Sequence, residues 1–205
     1  TRVSKNLLYN NDLEDLFMEV NHGPTLVDNN LLLSEVGIVT QSEGGAIIHN
    51  LIAGQVCMWP EPGRYTPYHV PHSTEVAGLS TIISGDYRCL NNIFLGIGPE
   101  ENKRDARYHY GLVSFNDAIW PVWINGNIYY NKAVPYKEES NSIKNNGFKP
   151  NIEITEEGNN VFLSFSLDDR GTDVKTQFVT TALLGIAKMP KEAFENPDGT
   201  PIKID

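Results

Sequence analysis

One short pattern recurs along this chain: an asparagine followed by large apolar residues. It appears as Asn6-Leu7-Leu8, Asn30-Leu31-Leu32, Asn50-Leu51-Ile52, Asn92-Ile93-Phe94 and Asn127-Ile128-Tyr129, at steps of 24, 20, 42 and 35 residues. Apolar residues on a period of two mark strands. A step in the low twenties suits one coil of three short strands and three turns, and the longer steps suit two coils or one coil with an insertion. The repeat predicts an all-β fold, a right-handed parallel β-helix, or solenoid. One asparagine at the same corner of every coil would bond to those above and below, as in the Asn ladders of stacked strands. An antiparallel β-sandwich also has closely spaced strands, but it has no need of Asn at the same strand entrance each time. Gly, Pro and Asn recur too densely for extended amphipathic helix.

The coils are expected over residues 1–135, with an inserted loop at about 58–78 rich in Pro, aromatic and His residues. Residues 136–205 read as an appendage packed on the coils. Within it, Asn151–Thr155 and Val161–Leu167 form a β-hairpin around Glu156-Glu157-Gly158-Asn159-Asn160. Val179–Ala187 reads as a further strand, Met189–Asp205 as a turn-rich end and Glu138–Lys149 as a polar surface loop. Asp168-Asp169-Arg170-Gly171 reads as a turn, and Trp120 and Trp123, on either side of Pro121, as packing residues. Solenoids need caps at their ends. None precedes the first coil here, and the first methionine is Met18, so the pattern is expected to continue upstream of Thr1.

With 26 acidic against 16 basic residues and a net charge of −10, the chain has no basic face for nucleic acid or an anionic membrane. It has no apolar run near the ~20 residues of a membrane span. Cys57 and Cys89 are too few for a disulfide framework and read as buried small residues, with one optional bridge. The acidity fits a neutral partner such as an oligosaccharide.

Glu19, in Phe17-Met18-Glu19-Val20-Asn21-His22-Gly23-Pro24, is the candidate catalytic residue. Apolar neighbours on a strand would desolvate its carboxylate and move it toward general-acid range. Asn21, two residues on, is expected on the same side of the strand, with His22 at its end. The three groups could bind sugar hydroxyls and protonate a glycosidic oxygen; a surface Glu near a turn is the plainer alternative. Asp12, Glu14 and Asp15 read as a solvated acidic loop nearby. Successive coils lie ~4.8 Å apart, close to the ~5–5.5 Å between the carboxyls of a retaining glycosidase. Eleven residues before Asn50, the stacking position in the next coil would be Val39, which is no carboxylate. Any partner of Glu19 is therefore expected on a preceding coil, before Thr1.

The inserted loop supplies Trp59, Tyr68, His69, His72 and Glu75 as candidate sugar-binding residues, since aromatic faces stack on sugar rings and His or Glu bonds hydroxyls. His69, His72 and Glu75 are three apart, but Pro71 precludes a regular helix. No metal and no cofactor is expected.

The strings Thr1-Arg2-Val3-Ser4-Lys5-Asn6-Leu7, Phe17 to Pro24, Leu26-Val27-Asp28-Asn29-Asn30, Thr66-Pro67-Tyr68-His69, Pro71 to Gly78 and Glu195-Asn196-Pro197-Asp198-Gly199 resemble bacterial β-xylosidases of glycoside hydrolase family 120. The resemblance implies a retaining enzyme that removes xylose from the non-reducing end of xylo-oligosaccharides, with Glu19 at the position of the acid/base. It also implies an Asp nucleophile one coil earlier, upstream of Thr1, and so a missing N-terminal part of the same enzyme. Two other readings stand beside it. One is a carbohydrate-binding β-helix without chemistry. The other is a polysaccharide lyase, for which neither clustered basic residues nor an Asp cluster on a strand is present.

Overall fold

A computed structural model describes residues 1–99, 106–173 and 175–204 of the chain. Its strands come in sets of three. β1 (Arg2–Ser4), β2 (Leu7–Leu8) and β3 (Glu14–Glu19) are followed by β4 (Thr25–Asp28), β5 (Leu31–Leu32) and β6 (Val36–Gln41), then by β7 (Glu43–Ile48), β8 (Leu51–Ile52) and β9 (Gln55–Met58). A hairpin, β10 (Glu61–His69) with β11 (Val76–Ile82), stands before β12 (Gly85–Leu90), β13 (Ile93–Phe94) and β14 (His109–Tyr110). β15 (Trp123–Asn125), β16 (Ile128–Tyr130) and β17 (Ile143–Asn145) complete the series.

Like strands of the first four sets pair side by side, β15 and β16 continue the first two sheets, and β17 adds to the second sheet beside β16. The first sheet runs β1-β4-β7-β12-β15, the second β17-β16-β13-β8-β5-β2 and the third β14-β9-β6-β3. Every neighbouring pair in the first two sheets is parallel. In the third sheet β3, β6 and β9 are parallel, and β14 returns antiparallel to β9. The fold is thus all-β and built on parallel sheets. β1, β2 and β3 each lie at one edge of their sheets.

The three sheets share one core. Met18 and Ile38 from the third sheet, Val27 and Ile47 from the first, and Leu32 and Ile52 from the second all belong to a single buried cluster. Each such aliphatic side chain taken out of water contributes about 1.5–3 kcal/mol. Tyr87 reaches across this core, its hydroxyl bonded to Thr40 at 2.5 Å and Ser42 at 2.6 Å. Burial pushes that phenol up to about 12. Gly45 makes room for the ring, since a Cβ there would sit 2.1 Å from it.

The repeated asparagines stack. Asn6 donates through its backbone and side-chain N–H groups to Asn30 Oδ1, Asn30 to Asn50, Asn50 to Asn92 and Asn92 to Asn127, all at 2.8–3.1 Å. Glu139 ends the series, accepting both Asn127 donors on Oε1 and the Tyr129 hydroxyl on Oε2. Each corner thereby satisfies backbone groups that burial would otherwise strand.

The tail covers outer sheet faces. β7 is buried along its whole length because Ile47 faces the shared core while Ala46 and Ile48 pack against Val179, Leu184, Phe194 and Ile204. A strand covered on both sides reads as a continuous apolar run. The expected hairpin is β18 (Glu153–Glu157) with β19 (Asn160–Ser164), laid by Leu163 against the second sheet. Three expectations are corrected. The supposed loop 138–149 contains β17, which pairs with β16 past the boundary expected at 135. The strand expected at Val179–Ala187 is only β20 (Val179–Thr180), paired with β21 (Lys203–Ile204). Thr180 then caps a one-turn helix, α1 (Thr181–Leu184), by accepting from the Leu183 N–H. The turn expected at Asp168–Gly171 lies at a 3₁₀ segment over Asp169–Asp173. Asp205, the end of the expected tail, lies outside the described residues. Among the described residues no helix is long and apolar enough to cross a membrane, and both cysteines are buried, the Cys57 thiol donating to the Arg107 carbonyl at 3.1 Å.

Candidate active site

Glu19 ends β3, and the pleat directs it outward. Leu16 and Met18 turn into the core, while Phe17 and Glu19 face solvent. The carboxylate is therefore not walled in by its apolar neighbours, as the sequence led us to expect. It is about half exposed (51 %) and lies 2.8 Å from the Arg64 guanidinium, itself 58 % exposed, on β10.

Val20 has a φ of +37°, which breaks the alternation that placed Asn21 beside Glu19. Asn21 instead organises the turn: its side-chain carbonyl accepts from the Gly23 N–H and the Thr25 hydroxyl, both at 3.1 Å. Gly23 packs so closely that a Cβ would lie 2.1 Å from the Gly44 carbonyl oxygen, and its φ of +76° suits glycine. This turn folds His22 inward, where it is buried with Nδ1 3.2 Å from the equally buried Glu43 carboxylate. Glu43 also accepts from the Ile83 N–H at 2.7 Å. His22 Nε2 is buried without a hydrogen-bond partner, and the Tyr68 ring meets the imidazole edge-on at 5.7 Å.

A cleft of about 610 Å³ joins these elements, lined by Glu19, Asn21, His22, Tyr68 and His69 among others. The insertion that contributes Tyr68 and His69 is the antiparallel hairpin β10–β11. Its other candidates lie elsewhere. Trp59, at the end of β9, packs against Tyr108 with Arg107 over its ring at 4.3 Å. His72, at the hairpin turn, faces Glu195 at 3.0 Å in a second, smaller cleft. Glu75 is exposed beside that turn.

The stacking position next to Glu19 is Gln41; Val39 stacks on Phe17. Trp59 continues Glu19's column one step past the pairing of Thr40 with Met58, two strands away. A groove of about 870 Å³ on the outer face of the first sheet contains none of the candidate residues. There Arg88 is committed to Asp86 and to the Leu184 and Ile186 carbonyls, beneath a half-exposed Trp123. Trp120 is packed as expected, with the Lys188 amine 3.1 Å from its ring centre.

Arg64 and Glu43 were not assigned to the site from sequence. Arg64 belongs to the inserted segment already read as a candidate, but nothing local shows that it reaches Glu19, 45 residues away. Glu43 did carry a signal, because a charge opening the apolar run Glu43-Gly44-Gly45-Ala46-Ile47-Ile48 implies a buried, partnered carboxylate.

No family model and no curated protein matches the chain. A solved structure described as the complex of XylC with xylose aligns with all of this chain and 34 % of its own, at 37 % identity and a TM-score of 0.90. The chain thus spans about a third of the length of that protein. Over its entire length, this chain has the β-xylosidase-like fold of glycoside hydrolase family 120.

Proposed function

We propose that this chain is the C-terminal part of a retaining, β-xylosidase-like glycoside hydrolase that removes xylose from xylo-oligosaccharides. Its three sheets wind as a right-handed parallel β-helix, in keeping with the strand rotation and with the hand that parallel crossovers take. The observation that carries the functional reading is the cleft holding Glu19, His22 and Tyr68 in a chain 37 % identical to the matching part of a protein solved with xylose.

Glu19 is the acid/base. It protonates the glycosidic oxygen as the leaving group departs, then takes a proton from the water that breaks the glycosyl-enzyme. An Asp supplied by a neighbouring coil paired to the open edge of β3 is the nucleophile. Strands in register there lie ~4.8 Å apart, which fits the carboxyl spacing of retention. Tyr68 and His69 bound the sugar pocket, Asn21 shapes the turn that forms its floor, and His22 offers Nε2 to a hydroxyl. Trp59 lies farther along Glu19's column, where an extended oligosaccharide would reach it; His72 and Glu75 are left without a sugar-binding role.

The test is the stereochemistry of hydrolysis. A longer protein containing this chain should release β-xylose first from an aryl β-xyloside, seen by proton NMR before mutarotation. Release of α-xylose would reject the retaining mechanism, and no hydrolysis of any xyloside would reject the activity.

A further inference from the structure

We propose that His72, Glu192 and Glu195 form a binding site for a divalent transition-metal cation of the zinc class, fastening the β10–β11 hairpin to the tail. Their three ligand atoms lie within 4.8 Å of one another, although His72 is more than a hundred residues from the two glutamates. His72 sits at the hairpin turn. Glu192 and Glu195 are presented by a segment held down at Ala187–Glu192 and Phe194–Gly185 by backbone bonds.

Two features set this group apart from a chance cluster of surface acids. His72 Nε2 and Glu195 Oε1 approach to 3.0 Å, yet Glu195 Oε1 is buried without a hydrogen bond. The imidazole offsets that oxygen only when it is protonated, whereas a cation between the two would be bound by both. The spacing is close to what one needs: donors bound to zinc at ~2.0–2.2 Å in a tetrahedron sit roughly 3.3–3.6 Å apart around it, so the His72 and Glu195 donors need part by only a few tenths of an ångström. The third donor needs only a side-chain adjustment on the order of 1–2 Å to join them. One imidazole with two carboxylates is a donor set that such ions accept, and three protein ligands leave a position for water. The local triad with His69 and Glu75 is not needed: His69 Nδ1 lies 3.2 Å from the Thr74 carbonyl oxygen.

The consequence is mechanical. The hairpin that carries Arg64, Tyr68 and His69 is attached to the body at its base, and the ion would hold its tip as well.

Isothermal titration of the chelator-treated protein with Zn²⁺ alone tests this. One ion should bind per chain, and His72→Ala and Glu195→Gln should each weaken binding at least tenfold, while His69→Ala should not. Hydrogen exchange across residues 66–78 should slow on adding Zn²⁺ in the unaltered protein and not in His72→Ala. His72 is exposed at a turn, so its loss should leave the fold, checked by circular dichroism, intact. Absence of stoichiometric binding, or equal binding by His72→Ala, would overturn the proposal.

Discussion

Arg64 on β10 places its guanidinium 2.8 Å from the Glu19 carboxylate on β3. This contact ties the inserted hairpin to the residue proposed as acid/base. Both partners are about half exposed, so the pair itself is worth little to stability, and its effect should fall on the position of Glu19. Arg64→Ala should leave the midpoint of urea unfolding within the error of measurement. In the longer enzyme it should slow hydrolysis of an unactivated xyloside, which needs the proton that Glu19 delivers, more than that of an aryl xyloside with a good leaving group. Equal effects on the two substrates, or none on either, would separate Arg64 from the site.

The Asn ladder should respond according to depth. Asn50→Ala removes the oxygen that accepts both the backbone and side-chain N–H groups of buried Asn30. Leaving such donors unpaired costs ~1–3 kcal/mol each. Asn6→Ala, at the exposed end, strands no donor of another rung and should cost far less. Chemical denaturation of both variants decides it, and equal losses would contradict a ladder whose strength lies in burial.

Glu139 makes a pH-dependent prediction. Burial raises its carboxyl above the ordinary value of 4.5, against the opposing hydrogen bonds from Tyr129 and Asn127. A raised carboxyl binds protons more readily in the folded than in the unfolded state, so its contribution falls as pH rises from the unfolded value through the folded one. Glu139→Gln keeps an oxygen for Asn127 and cannot ionise. The variant should therefore gain on the unaltered protein between about pH 4 and neutrality, as read from unfolding midpoints. A constant difference across that range would exclude the linkage.

Glu43 should set the tautomer of His22. As a carboxylate it can only accept, so the proton of a neutral imidazole lies on Nδ1, leaving Nε2 to accept from a hydroxyl. Glu43→Gln retains an acceptor for the Ile83 N–H and turns an amide donor toward Nδ1, which moves the proton to Nε2. Nitrogen-15 shifts of His22 should exchange between the two ring positions, and in the longer enzyme KM for a xyloside should rise more than kcat falls. An unchanged tautomer would end this assignment.

What could be read from the sequence was periodic. The asparagine positions gave the corners because each must meet the next across one strand spacing, and the hairpin around Gly158 followed from turn chemistry. The register of Glu19 could not be counted from them. Eleven residues separate Glu19 from Asn30, but nine separate Gln41 from Asn50; the Asn21–Pro24 turn is the longer corner, and so Gln41 rather than Val39 stacks on Glu19. Glu139 closes the ladder in place of a sixth asparagine, which no repeat search would find. Among the site residues, Tyr68 and His69 were reachable because the insertion is locally dense in such side chains. The contacts of Glu19 with Arg64 and of His22 with Glu43 span 45 and 21 residues, and only the fold brings them together.

The central claim is that Glu19 serves as acid and then base in a xylosidase whose nucleophile lies outside this chain. The isolated chain should therefore hydrolyse no xyloside. The direct measurement is turnover by the longer enzyme carrying Glu19→Gln. An unactivated xyloside should lose the ~10²–10⁴ that general acid catalysis supplies, an aryl xyloside with a good leaving group much less in its first step, and azide should restore turnover of the latter by replacing the water that needs a base. Unchanged hydrolysis of the unactivated xyloside by the Glu19→Gln enzyme would contradict the account.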